Sequence, residues 1–100
     1  MYRQGDILFV PVARLPADLK PHNEVVAEGE VTGHAHRVKH GQVLMDPAQA
    51  HRPEVLFVTV TEVAEVVHEE HAKITLPQGQ YQVVRQREYS GEHGWTPVAD

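Results

Sequence analysis

The sequence predicts an all-β fold, a small single-domain barrel or sandwich spanning residues 1–100. Three observations lead there. Runs rich in valine and other β-branched residues are short. Gly, Pro and Asn/Asp punctuate them at close intervals. The one stretch with a helical period also carries four valines within ten residues, which favours strand. A chain of 100 residues with 41% apolar and 23% charged residues has the make-up of one globular domain.

Gly5 and Asp6 punctuate the start, and residues 7–12 read as a buried strand ended by Pro11. Residues 14–23 hold Pro16 and Pro21 and read as an irregular loop. Residues 24–31 form a strand, with a bulge or bend expected at Gly29. The segment 34–40 reads as a strand, Gly41 as a turn and 42–45 as a further short strand. A polar loop follows over 46–53. Residues 55–61 give the clearest alternation, with Leu56, Val58 and Val60 on one face.

Residues 62–74 fit two periods. Val60, Val63, Val67, His71 and Ile74 repeat like a helix face, yet the valine content is that of a strand, and strand is the reading adopted. Pro77-Gln78-Gly79 reads as a turn before a long strand over 80–89, and the glycines and proline beyond about 90 suggest a tail that wraps or frays.

The bulk chemistry narrows the function. Net charge is −5, which argues against broad binding to nucleic acid or anionic membrane. No apolar run approaches the length of a membrane span, and the first residues lack the apolar core of a signal peptide, so a cytoplasmic location is expected. There are no cysteines, so any metal site must use nitrogen and oxygen ligands.

There are eight histidines, and four of them form two suggestive pairs. In a strand, alternate side chains share a face, so His34, His36 and His40 would point one way with Val38 among them, and His34 and His36, at i and i+2, would sit roughly 7 Å apart at their Cα atoms. Such a pair can converge on zinc, iron or copper. The bland reading is a histidine-bearing solvated face. His68-Glu69-Glu70-His71 supplies a second pair. On a helix both rings share a face; on a strand only one can join the first pair. Glu69 and Glu70 are candidates for a ligand, for a partner orienting an imidazole, or for a catalytic general base. His22, His51 and His93 fall in loops or the tail and read as surface residues.

Gly33-His34-Ala35-His36 followed by Pro77-Gln78-Gly79 resembles the two-part metal signature of the cupins, a jelly-roll family. The resemblance implies a metal held by His34, His36 and a third ligand three residues after Gly79. Gln82 occupies that position instead of histidine, so either Gln82 is a ligand or His68 or His71 supplies the missing imidazole. More broadly, Tyr2-Arg3-Gln4-Gly5-Asp6, the segment from Glu28 to His36, His68-Glu69-Glu70-His71-Ala72 and Val84-Arg85-Gln86-Arg87-Glu88-Tyr89 resemble a group of small bacterial proteins with no assigned activity, which implies nothing about chemistry.

A last strip, Tyr81, Val83, Arg85, Arg87 and Tyr89, shares one strand face and could meet phosphate or a base, or simply face solvent. The leading expectation is a metal-dependent enzyme, hydrolase or oxidoreductase, acting on a small molecule. The alternative is a metal- or pH-sensing module without catalysis, and less so a nucleic-acid-associated protein. Pairing of exposed strand edges makes a homo-oligomer the expected assembly.

Overall fold

A computed structural model describes residues 1–29, 33–49, 55–89 and 95–97. Ten strands account for most of them: β1 Tyr2–Gln4, β2 Ile7–Pro11, β3 Lys20–Pro21, β4 Val25–Glu28, β5 Ala35–Lys39, β6 Gln42–Met45, β7 Leu56–Val67, β8 Ile74–Arg85, β9 Arg87–Tyr89 and β10 Trp95–Pro97. A single 3-10 turn covers Pro47–Gln49. The all-β expectation holds. No helix among the described residues is long and apolar enough to cross a membrane.

The long β7–β8 hairpin is the backbone of the sheet. β8 pairs with β2, β2 with β1, and β7 carries β5 and β6 on its other side, with β4 beyond β5. All these ladders are antiparallel. The β1–β2 hairpin turns in two residues, since Gln4 pairs with Ile7. Gly5 takes its first central position at φ 59°, where a tight hairpin turn favours glycine.

β5 and β6 are one strand broken at His40 and Gly41. β5 lies against Glu65–Val67 and β6 against Leu56–Thr59. His40 stands at φ 64°, in the left-handed region. A Cβ on Gly41 would sit 3.0 Å from Val38 Cγ1 and 3.1 Å from the Ala64 Cβ, so only glycine fits the kink without pushing on buried neighbours. Across the ladder, β7 slips register against β8 between Val60 and Val63. The sheet therefore bends at one level across three strands.

The bend wraps the inner face around a core of Ile7, Phe9, Val26, Val38, Val43, Leu56, Val58, Val60, Ala64, Val66, Leu76, Tyr81 and Val83. It also brings distant strands together. Arg85 of β8 donates to the Glu28 carbonyl of β4 at 3.1 Å, and Gln4 of β1 meets His36 of β5 at 2.8 Å. Among the described residues these links are side-chain bonds, and the ladder order itself runs open from β1 to β4.

Several local expectations need correction. Pro77-Gln78-Gly79 is not a turn. It lies inside β8, with Pro77 and Gly79 opposite Val63 and Val60 at the register slip. Proline is tolerated in a strand at such an irregularity because the ladder bond it cannot make is already interrupted. The stretch 62–74 is strand only to Val67, after which His68–Lys73 turns the chain back. β1 was too short and too polar to show a period. The long strand ends at Arg85, and Trp95–Pro97 pairs with β9 where a tail was expected. His51, His93 and the rest of the tail lie outside the described residues.

Candidate metal centre

Register explains why two histidine pairs meet. Arg37 of β5 faces Val67 of β7 in an antiparallel ladder. One step further along, His36 lies opposite His68. Their ring centroids are 4.4 Å apart. The turn after β7 then folds His71 back over the same spot, 4.5 Å from the His68 ring and 5.7 Å from that of His36. One ligand atom each from His36, His68 and His71 lie within 4.8 Å of one another. A tetrahedral cation asks for nitrogens roughly 3.3 Å apart, so modest side-chain rotations would close the set.

The turn is built by His68 itself. Its Nδ1 accepts the backbone N–H of Glu70 at 3.0 Å and that of His71 at 3.4 Å. This resembles the way an Asn or Ser side chain organises a turn. Because 68–71 is neither helix nor strand, both histidines reach the cluster, which neither regular structure predicted together with β7.

His36 is fully buried, and its orientation is dictated by Gln4. The Gln4 amide Nε2 donates to the Val66 carbonyl at 2.8 Å and to the Ala72 carbonyl at 3.0 Å. Those two acceptors fix which end of the amide is nitrogen, so Oε1 faces His36 Nδ1 at 2.8 Å. A carbonyl oxygen can only accept, so Nδ1 carries the proton and, in the neutral ring, Nε2 carries the lone pair. Asp6 Oδ1 lies 3.8 Å from that Nε2, while Oδ2 lies 3.1 Å from Arg85 Nε. The Asp6 carboxylate thus places negative charge beside the buried His36 ring.

His34 joins from the chain just before β5, its ring 5.5 Å from that of His68. A second set of ligand atoms within 4.8 Å comprises His34, His68 and Glu69. Glu69 is already engaged. Its Oε1 accepts from Arg37 Nη1 at 2.8 Å and its Oε2 from the Ala35 N–H at 3.0 Å. The bond from Arg37, helped by the Ala35 amide, lowers its pKa from 4.5 to about 2, so this carboxylate is a weak base. It fastens the turn to the start of β5. Glu70, 62% exposed, places Oε1 3.7 Å from His34 Nδ1.

Because the folded Glu69 has the lower pKa, its stabilising effect is complete above about pH 4.5 and is lost as pH falls toward 2. Glu69→Gln should therefore lower the urea midpoint slightly at pH 7, the pair with Arg37 being well exposed. The difference from wild type should vanish across that acid window. A gap that persists at pH 2 contradicts the assignment.

Other sequence candidates lie apart from the cluster. Gln82 sits between Val10 and Phe57 in the ladder, and alternation turns it to the face opposite Tyr81, Val83 and Arg85. With Pro77-Gln78-Gly79 inside a strand as well, neither half of the cupin comparison beyond His34 and His36 has its expected setting. His40 occupies the β5–β6 kink. Gln4, Asp6 and Arg85 are the site residues that sequence reasoning missed.

A family model spans residues 3–86, from just before Gln4 to just beyond Arg85. The chain belongs to the family described as Domain of unknown function (DUF8820). No curated protein and no solved structure matches it. In this DUF8820 chain every residue of the cluster and of the Gln4–Asp6–Arg85 network falls within the matched span.

Proposed function

We propose that this DUF8820 chain holds one transition-metal cation with His36, His68 and His71 and leaves a coordination position open, as a small metal-dependent enzyme does. The observation that carries the reading is the approach of three imidazole ligand atoms to within 4.8 Å around a buried histidine whose lone pair is already set by Gln4. An all-imidazole set suits zinc, iron or copper. Three protein ligands are one short of a closed structural tetrahedron and match the pattern in which water or substrate takes the fourth place. Hydrolysis suits zinc there; oxidation suits iron or copper. Glu70, rather than the tethered Glu69, is the carboxylate placed to accept a proton beside the cluster.

A small molecule fits as partner better than nucleic acid. Half of the basic and aromatic strip is turned inward: Tyr81 is buried and donates its hydroxyl to the Pro77 carbonyl, and Arg85 binds Asp6. The coordination chemistry of His68 also favours a second reading, a cytoplasmic metal sensor. Its Nδ1 accepts the Glu70 N–H, so the neutral ring carries its proton on Nε2. Coordination through Nε2 moves that proton to Nδ1, and coordination through Nδ1 replaces the Glu70 N–H. Either way cation binding reshapes the 68–73 turn, as a sensor requires.

Protein purified without an affinity tag should contain about one transition-metal ion per chain by elemental analysis, after reconstitution if purification strips it. A content far below one after incubation with zinc, iron and copper in turn removes both readings. Solvent access then separates them: enhanced water-proton relaxation by the copper-loaded protein suits an enzyme with an open coordination position, and its absence, marking a closed site, suits a sensor.

A further inference from the structure

We propose that Gln4 is the positioning residue of this site, setting the ligand nitrogen of His36 and holding the turn that carries the other two histidines. The inference rests on the metal reading above and adds to it a residue outside the histidine set. One amide ties together both segments that carry ligands. Its oxygen accepts from His36 Nδ1 in β5. Its nitrogen donates to the Val66 carbonyl, two residues before His68, and to the Ala72 carbonyl, one residue after His71. Gln4 itself is 2% exposed, so water does not compete for these bonds.

The chemistry of the amide is specific. A neutral imidazole offers a cation one lone pair, and the hydrogen bond made by the other nitrogen decides which. Gln4 Oε1 keeps the His36 proton on Nδ1 and so directs Nε2 to the cation. The two donor bonds clamp the turn at both ends, limiting how far His68 and His71 can drift from His36. A glutamine does both because it alone among side chains of this length presents one acceptor and two donors. Its place in β1 means that the first hairpin, which holds no ligand, is part of the site.

Two variants separate the two roles. Gln4→Met keeps the volume and removes every hydrogen bond. Gln4→Glu keeps an acceptor for His36 Nδ1 and removes both donors. The His36 tautomer is read by 15N NMR of the imidazole without added metal, at a pH about 1.5 units above the ordinary histidine pKa. Zinc affinity is read by competition with a chromogenic chelator. Wild type should show the proton on Nδ1, Gln4→Glu should keep it there, and Gln4→Met should populate the Nε2–H form. Zinc should bind Gln4→Met 10- to 100-fold more weakly, the usual consequence of losing such a partner, with Gln4→Glu between it and wild type.

A wild-type His36 protonated on Nε2 overturns the proposal without any variant, even if neither variant folds. So does a Gln4→Met protein that keeps both the tautomer and an affinity within threefold of wild type. If wild type binds no zinc, iron or copper, the metal reading fails, and the tautomer comparison still decides what Gln4 does to His36.

Discussion

His36→Ala should abolish measurable binding of a transition metal and lower stability by about 2–4 kcal/mol, the range for truncating a buried hydrogen-bonded side chain. Both effects come from its position. The ring is fully buried, so alanine leaves a void lined by groups that cannot all close in. It also leaves Gln4 Oε1 without the donor it now accepts from. For a domain of this size each kcal/mol corresponds to roughly 4–8 °C, so the melting point should fall by about 10–30 °C. His71→Ala is the informative control. His71 is half-buried in the turn, so its loss should remove binding while costing far less stability. Equilibrium urea unfolding and chelator competition on both variants give the two readouts. If His71→Ala binds metal as wild type does while His36→Ala merely unfolds, the histidines are a packed polar core and nothing more.

That contrast bears on what the sequence could reveal. Ile7–Pro11 was legible as a short apolar run and the first half of Leu56–Val67 by an alternation that follows the pleat, whereas its second half fitted a helical period as well. The convergence of His34 and His36 with His68 and His71 was legible as a motif, since imidazoles two residues apart on a strand share a face. The means of convergence was not. It depends on His68 folding its own turn, and histidine is no conventional turn residue, so the local pattern offered helix or strand only. Gln4 and Asp6 were beyond reach for a different reason. Their partners lie 32 and 62 residues away for Gln4 and are set by how the sheet curls, a property of the whole ladder that no local period encodes. Arg85 did leave a trace. Alternation placed it on the face of Tyr81 and Val83, but the pattern left that face open to phosphate, a base or solvent; those residues are core, so the arginine turns inward and needs an acid.

That acid is Asp6, and Asp6→Asn should cost about 3 kcal/mol, close to the range for removing one partner of a buried pair. The carboxylate is 1% exposed and the Arg85 side chain 22%, so little water can take over its role. Asparagine has the same shape and can remain in the β1–β2 turn, where the Asp6 carbonyl accepts the Gln86 N–H at 2.7 Å. The loss is therefore that of charge, not of turn geometry. Left without its counter-charge, the Arg85 guanidinium keeps the Glu28 carbonyl as an acceptor of its Nη2 and must turn outward or stay poorly compensated. Turning outward frees β4 from β8, so the two ends of the curled sheet should separate first, visible as faster amide exchange in Val25–Glu28. Pairing the change with Arg85→Met tests the cause. If the cost is an uncompensated cation, the double variant should regain at least half of the lost stability in urea unfolding, because the two sites are coupled. A double variant whose loss is the sum of the two singles assigns the damage to packing, and a single Asp6→Asn loss below about 1 kcal/mol means the ion pair does not hold the sheet together.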